Sequence, residues 1–258
     1  VGVFFGVMYA HYQLFGVEER LRGNPVSLSA SFASIANRVS HFFDWRGPSL
    51  ALDTMCSSSL TALHLAVESL RRGECELALA GGVNLTLHPE KDLVLSQTGF
   101  STRDGRCRAF GAGGEGYVPG EGVGAVLLKP LARALADGDR IHGVIRATAL
   151  NHGGRTSGYT VPSARAQAEV VGTALAAAGV APDTITCLEA HGTGTSLGDP
   201  IEVAGLAQAF AAAGAPVEPG RCWLGSVKSN LGHCESAAGI AGLTKVLLQF
   251  RHRELAPS

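Results

Sequence analysis

The stretch Asp53-Thr54-Met55-Cys56-Ser57-Ser58-Ser59-Leu60 places a thiol where one apolar run, Pro48 to Leu52, gives way to another. From Leu60 the apolar residues Leu60, Leu63, Val67 and Leu70 recur at helical spacing, with Ala62, Leu65 and Ala66 between them. That pattern predicts a buried helix, apolar nearly all round and stopped at Gly73. A cysteine in its first turn meets unpaired backbone N–H groups and the positive end of the helix dipole, and both favour the thiolate. Position alone leaves two readings of Cys56: a nucleophile, or one more small core residue among six cysteines.

Two histidines sit in Gly-rich loops that each follow a strand-like run: His191 in Glu189-Ala190-His191-Gly192-Thr193-Gly194-Thr195, and His233 in Lys228-Ser229-Asn230-Leu231-Gly232-His233. A thiol with two loop imidazoles suits thioester chemistry. The thiol holds an acyl group, and neutral imidazoles donate N–H bonds to a thioester oxygen as negative charge develops on it. Lys228, five positions before His233, adds a positive charge that orients the loop or biases imidazole protonation. The histidines at 11, 41, 64, 88, 142, 152 and 252 read as core or surface residues. His-Gly-Thr-Gly-Thr lacks the Gly-Lys-Ser/Thr ending of a phosphate-binding P-loop, which argues against nucleotide binding.

The elements that must position these groups alternate. Strands are predicted at 1–7, 48–52, 77–83, 123–128, 141–150, 185–190 and 224–227. Helices are predicted at 30–43, after Cys56, from Pro130 to Asp137, and between a Ser163 cap and Gly179. Two more follow, one with Asp199 as N-cap and Pro200 as first residue, and one carrying Ile240, Leu243, Val246, Leu247 and Phe250. Residues 88–121 read as loop-rich. Alternation of this kind implies an α/β fold with a largely parallel sheet covered on both faces.

Length and composition set outer limits. With 258 residues, 46% of them hydrophobic and 17% charged, the chain is large enough for one α/β domain or two fused halves. A net charge of −1 offers no basic excess for nucleic acid, and no run of about eighteen apolar residues is present to span a bilayer. Six cysteines without a CxxC pair or a preceding secretory signal read as reduced thiols of a soluble, cytoplasmic protein, with no zinc or other metal implied. The chain opens at Val1 inside an apolar run and stops at Ser258 without a closing element. It therefore reads as an internal piece of a longer polypeptide, expected to be insoluble or molten and inactive when expressed alone.

Taken together, several segments resemble a ketosynthase (β-ketoacyl synthase) domain of a modular type I polyketide synthase. They are Asp53 to Leu60, Ala80-Gly81-Gly82-Val83-Asn84, Asp104-Gly105-Arg106-Cys107, Gly116 to Gly122, Glu189 to Thr195, Leu197 to Glu202, and Gly225 to His233. The resemblance implies a thiolase-like fold, two similar βαβαβ-type halves in five layers, here incomplete at both ends. Residues 1–128 would form approximately the N-terminal half with the nucleophile, and 129–258 the C-terminal half with both histidines. It implies Cys56 as acyl-accepting nucleophile, His191 and His233 as the decarboxylation and condensation pair, and Lys228 as their support. Thr193 and Thr195 match threonines that bond a phosphopantetheine arm.

No cofactor is implied on the chain itself, only phosphopantetheine carried by acyl carrier protein partners, an upstream acyl donor and a malonyl carrier. A homodimer is implied, without nucleic acid or membrane. Met55, where many relatives have alanine, is expected to reshape the acyl pocket. The runs Asn151 to Arg155 and Gly158 to Pro162 resemble assembly lines that lack built-in acyltransferases. The implied reaction is decarboxylative Claisen condensation. Its rivals are a fatty-acid synthase ketosynthase, which has the same chemistry, and a non-elongating acyl-transfer gate, which usually lacks the histidine found at 191.

Overall fold

The structure, a computed structural model, describes residues 1–214 and 220–258. In chain order the elements are β1 (Gly2–Gly6), α1 (Tyr12–Leu21), α2 (Ala33–Phe42), β2 (Ser49–Leu52), α3 (Ser58–Arg71), β3 (Ala78–Asn84), α4 (Glu90–Thr98) and β4 (Gly122–Leu128). There follow α5 (Leu131–Ala136), α6 (Ala164–Ala178), β5 (Cys187–Glu189), α7 (Gly198–Ala212), β6 (Trp223–Gly225), the single turn α8 (Lys228–Leu231) and α9 (Ala238–His252). They form two compact units. The first comprises Val1–Ser101, Pro119–Ile141 and His233–Thr244, and the second Thr102–Val118, His142–Gly232 and Lys245–Ser258.

The first unit is built on a sheet of order β2-β1-β3-β4, in which β1 pairs in parallel with both β2 and β3 while β4 runs antiparallel to β3. The sheet is largely parallel, as alternation implied, with β4 as its antiparallel edge strand. Every residue of β1 is buried, as a central strand with helices nearby demands. Val3 and Phe5 pack with Ala36 of α2, and Ile35 and Val39 lie against them, so this side of α2 faces the sheet. Phe42, the last residue of α2, is 80% exposed and meets the Phe43 ring edge-on.

Helix α3 lies on β1 and β3 through Ala62, Leu63 and Ala66, all buried, and Leu60 at its start is exposed, contrary to the all-round burial expected. Its close approach depends on glycine. A Cβ on Gly6 would stand 2.5 Å from the Ser58 carbonyl carbon, and one on Gly82 would stand 2.8 Å from Ser59 Cβ and from the Ser236 carbonyl oxygen. The C-terminal ends of the parallel strands β1, β2 and β3 share one sheet edge, so the segments at Tyr9, at Cys56 and at Asn84 leave the sheet side by side. That edge is where open α/β sheets carry their sites.

Residues 88–121 are not all loop. Helix α4 occupies Glu90–Thr98, and its buried side holds the charged Lys91, which hides the helix from apolar periodicity.

In the second unit β5 and β6 pair in parallel, Leu188 opposite Leu224. Helix α6 has the predicted Ser163 cap, whose hydroxyl accepts from the Ala166 N–H at 3.2 Å, and ends at Gly179 with φ +60°. No strand forms over 141–150 among the described residues. Apolar residues make that segment suited to a strand, but a strand exists only through ladder partners. Helix α7 begins one residue before Asp199, which puts Asp199 and Pro200 inside its first turn; Leu197 stands at the cap position.

Candidate active site

Cys56 occupies the turn between β2 and α3, two residues ahead of Ser58 and so just outside the helix rather than in its first turn. The turn is tied by its own polar groups. Met55 N–H donates to Asp53 Oδ1 at 2.8 Å, Ser58 Oγ donates to the Met55 carbonyl at 2.6 Å and accepts from Thr54 N–H at 2.9 Å, and Ser57 Oγ donates to the Thr54 carbonyl at 2.7 Å. Met55 adopts φ +57°, a left-handed conformation that costs a residue with a side chain about 1 kcal/mol or more. That twist sets the partly exposed thiol ahead of the helix. No acidic residue lies in the first turn of α3 to offset the positive end of the dipole.

His233, in the same unit, is fully buried. Its carbonyl accepts from Gly120 N–H at 2.9 Å, and its ring Nδ1 accepts from Glu235 N–H at 2.9 Å. A ring nitrogen that accepts carries no proton, so the imidazole is neutral with its hydrogen on Nε2. One identifiable hydrogen bond thus selects the tautomer of this ring. The segment after it is fastened to α3, since Ile240 N–H donates to Ser59 Oγ at 3.0 Å.

The second unit holds His191, Thr193, Thr195 and Lys228. His191 follows β5, and carboxylate Glu202 of α7 accepts both its N–H, at 2.6 Å, and that of Gly192, at 2.8 Å. On the other side the His191 carbonyl accepts from Lys228 Nζ at 2.5 Å and from Ser226 Oγ at 3.1 Å. Dense surroundings first, and the Lys228 charge second, push the His191 imidazole down to about 3. The residue keeps an open face to solvent, which softens both causes without changing their sign. Both act in one direction, toward a neutral ring at physiological pH. Burial pushes the Glu202 carboxyl up, against the lowering effect of its two backbone donors.

The Thr193 and Thr195 hydroxyls lie 3.3 Å apart. Asp199 holds their loop by accepting from Gly194 N–H at 3.1 Å and from Phe110 N–H at 2.7 Å.

Residues 1–134 match the family described as beta-ketoacyl synthase, N-terminal domain, and residues 142–258 match beta-ketoacyl synthase, C-terminal domain. This chain belongs to the beta-ketoacyl synthase family. Among curated relatives it is 66% identical to polyketide synthase ThaG of Burkholderia thailandensis, over all of this chain and 5% of that protein. It is 61% identical to polyketide synthase PksL of Bacillus subtilis, again over all of this chain and 6% of the relative. The chain thus spans only a small part of the curated relatives it matches.

The oxazolomycin ketosynthase domain OzmH KS7 of Streptomyces albus JA3453 superposes with a TM-score of 0.96 at 62% identity, over all of this chain and 44% of that one. The ketosynthase from module 6 of the bacillaene synthase of Bacillus subtilis 168 gives 0.91 at 42% identity, over all of this chain and 44% of that one. The thiolase-like α/β fold expected from the sequence is thus the fold of this chain.

Several groups that hold the candidate site were given no part in it by the sequence reading. Glu202 and Asp199 lie within the quoted segment Leu197 to Glu202, but nothing in spacing shows that their carboxylates reach back to the His191 loop. Glu189 accepts from Val227 N–H at 2.5 Å and pairs with Lys245 at 2.9 Å, which joins the β5 and β6 ends that lead into His191 and Lys228. Among the described residues no cluster of three or more His, Cys, Asp or Glu is arranged to hold a metal, and no helix is long and apolar enough to cross a membrane.

Proposed function

We propose that this beta-ketoacyl synthase is the chain-elongating ketosynthase of a modular polyketide assembly line and performs decarboxylative Claisen condensation. The Cys56 thiolate attacks an acyl thioester on an upstream acyl carrier protein. The carrier's phosphopantetheine thiol leaves, and the acyl group stays on Cys56. A malonyl thioester on a second carrier then loses carbon dioxide, and its electron pair becomes an enolate. The enolate carbon attacks the acyl-cysteine carbonyl, the C–S bond breaks, the Cys56 thiolate is released, and a β-ketoacyl chain remains on the carrier.

The observation that carries this reading is that both histidines are held as neutral imidazoles, His233 by the Glu235 N–H on Nδ1 and His191 by its surroundings and Lys228. Enolate stabilisation requires donors that do not first lose a proton to the substrate. His191, with its Lys228 support, also favours elongation over an acyl-transfer gate. Thr193 and Thr195 present hydroxyls suited to the amides and hydroxyl of a phosphopantetheine arm. The runs at 151–155 and 158–162 favour an assembly line whose acyltransferase is a separate protein, and we take the working form to be a homodimer in the cytoplasm. Release of labelled carbon dioxide from malonyl carrier by the intact protein, with and without an acyl group on Cys56, tests the reading. Acyl loading without carbon dioxide release would point to the gate instead.

A further inference from the structure

We propose that Lys91, Asn84 and Glu235 are positioning residues for His233, a closed ring of polar contacts that keeps its hydrogen on Nε2. The ring can be followed atom by atom within the first unit. The His233 carbonyl accepts from Gly120 N–H at 2.9 Å, and the Gly120 carbonyl accepts from Asn84 Nδ2 at 2.7 Å. Asn84 Oδ1 accepts from Lys91 Nζ at 3.1 Å, and Lys91 Nζ pairs with Glu235 Oε2 at 2.5 Å. Glu235 N–H returns to His233 Nδ1 at 2.9 Å. Tyr9 closes the side of the ring: its hydroxyl donates to Glu235 Oε1 at 3.1 Å, and its aromatic face lies 4.5 Å from Lys91 Nζ.

Stability alone does not account for this arrangement. Lys91 is 1% exposed and Glu235 not at all, and a buried ion pair gives little net stability compared with an apolar pair of the same volume. Glu235 also sits at φ +43°, where a residue with a side chain is strained. The strain has a directional result. In that conformation the Glu235 N–H points back at the ring two residues earlier, and the ion pair with Lys91 is what anchors the side chain that keeps it there. If the anchor is lost, Glu235 relaxes, Nδ1 loses its donor, and the imidazole can carry its hydrogen on either nitrogen. The Nε2 donor is then present only part of the time. Histidines that act through one nitrogen are oriented by the bond on the other.

The inference rests on the role of His233 in the proposed condensation, and the test separates the two. In the intact protein, Glu235→Gln is expected to lower carbon dioxide release from malonyl carrier about tenfold, less than removal of the donor itself. Acyl loading of Cys56 should stay within about twofold, since it does not use His233. In a His233→Ala background the same change should add no further loss, because a positioning residue has nothing left to position. Losses that multiply across the two backgrounds, or loading and release that fall together, overturn the proposal. If Glu235→Gln fails to fold, Tyr9→Phe in both backgrounds serves instead, with a loss of about threefold expected and the same criteria applied.

Nitrogen-15 spectra of ring-labelled histidine read the tautomer without reference to activity. Nε2–H in the wild type and a mixture in the variant are expected, and an unchanged tautomer overturns the inference. Wild-type carbon dioxide release from His233→Ala, with the tautomer shift still observed in Glu235→Gln, would refute the assigned reaction role and leave the positioning intact.

Discussion

Lys228 Nζ donates to the backbone carbonyl of His191 across 2.5 Å, so a single buried ammonium both pins the loop and lowers the basicity of the imidazole it carries. The Glu202 carboxylate holds the same loop by its N–H groups. The loop is thus fixed at donor and acceptor alike, through its backbone N–H groups and its carbonyl.

Replacing Lys228 should separate these effects by sign. A nearby cation lowers a histidine pKa, so Lys228→Met should let the His191 pKa rise from about 3 toward the ordinary 6.5. The acid limb of the pH profile for carbon dioxide release should then move to higher pH, together with a fall of roughly tenfold or more at pH 7. An acid limb that stays in place while the rate falls would mean that Lys228 acts on loop geometry alone.

The same depressed pKa links folding to pH. A histidine kept neutral by the fold takes up its proton more readily when unfolded, so its contribution is complete above about pH 6.5 and is lost as pH falls toward 3. Urea midpoints of the wild type should drop more steeply across that window than those of His191→Gln. Parallel curves would show that the ring is solvated in the folded protein.

Cys56→Ala should abolish acyl loading, read as the absence of added acyl mass on the intact protein, because none of the other five cysteines sits at this turn. Loading at the wild-type rate would move the nucleophile elsewhere. His191→Ala should keep loading and lose about a hundredfold in carbon dioxide release, the usual cost of one transition-state donor. Equal rates of release would sink the pairing of His191 with His233.

Some of this was legible in the residues and some was not, for physical reasons. Strands β1, β3 and β4 and helices α3, α6 and α9 announce themselves by apolar runs or caps, and Cys56, His191 and His233 by their place at strand ends. Helix α4 does not, because its buried side carries Lys91, and a charge satisfied by a partner 144 positions away leaves no periodic trace. The same holds for Glu202, whose carboxylate turns back to a loop eleven positions earlier, and for the Glu235 N–H on His233. Residues 141–150 err in the opposite direction, since composition suited to a strand says nothing of whether a partner strand lies beside it. Pattern reveals elements; the hydrogen bonds that set protonation belong to tertiary structure.

Met55 provides the remaining test, because its backbone and its side chain make opposite demands. At φ +57° a glycine would relieve strain of about 1 kcal/mol, whereas a β-branched residue would add to it. The side chain itself is 57% exposed, so truncating it forfeits little packing. Met55→Ala should therefore shift the thermal midpoint by only a few degrees, and Met55→Val should destabilise by about 1 kcal/mol or more. If the side chain beside Cys56 limits the acyl group, the alanine variant should raise the loading rate of α-branched acyl thioesters several-fold relative to straight ones of equal length. Intact-protein mass spectrometry with matched pairs of acyl thioesters gives that ratio directly. An unchanged ratio, with Met55→Ala as stable as the wild type, would mean that Met55 is retained for the shape of the turn and does not meet the acyl chain.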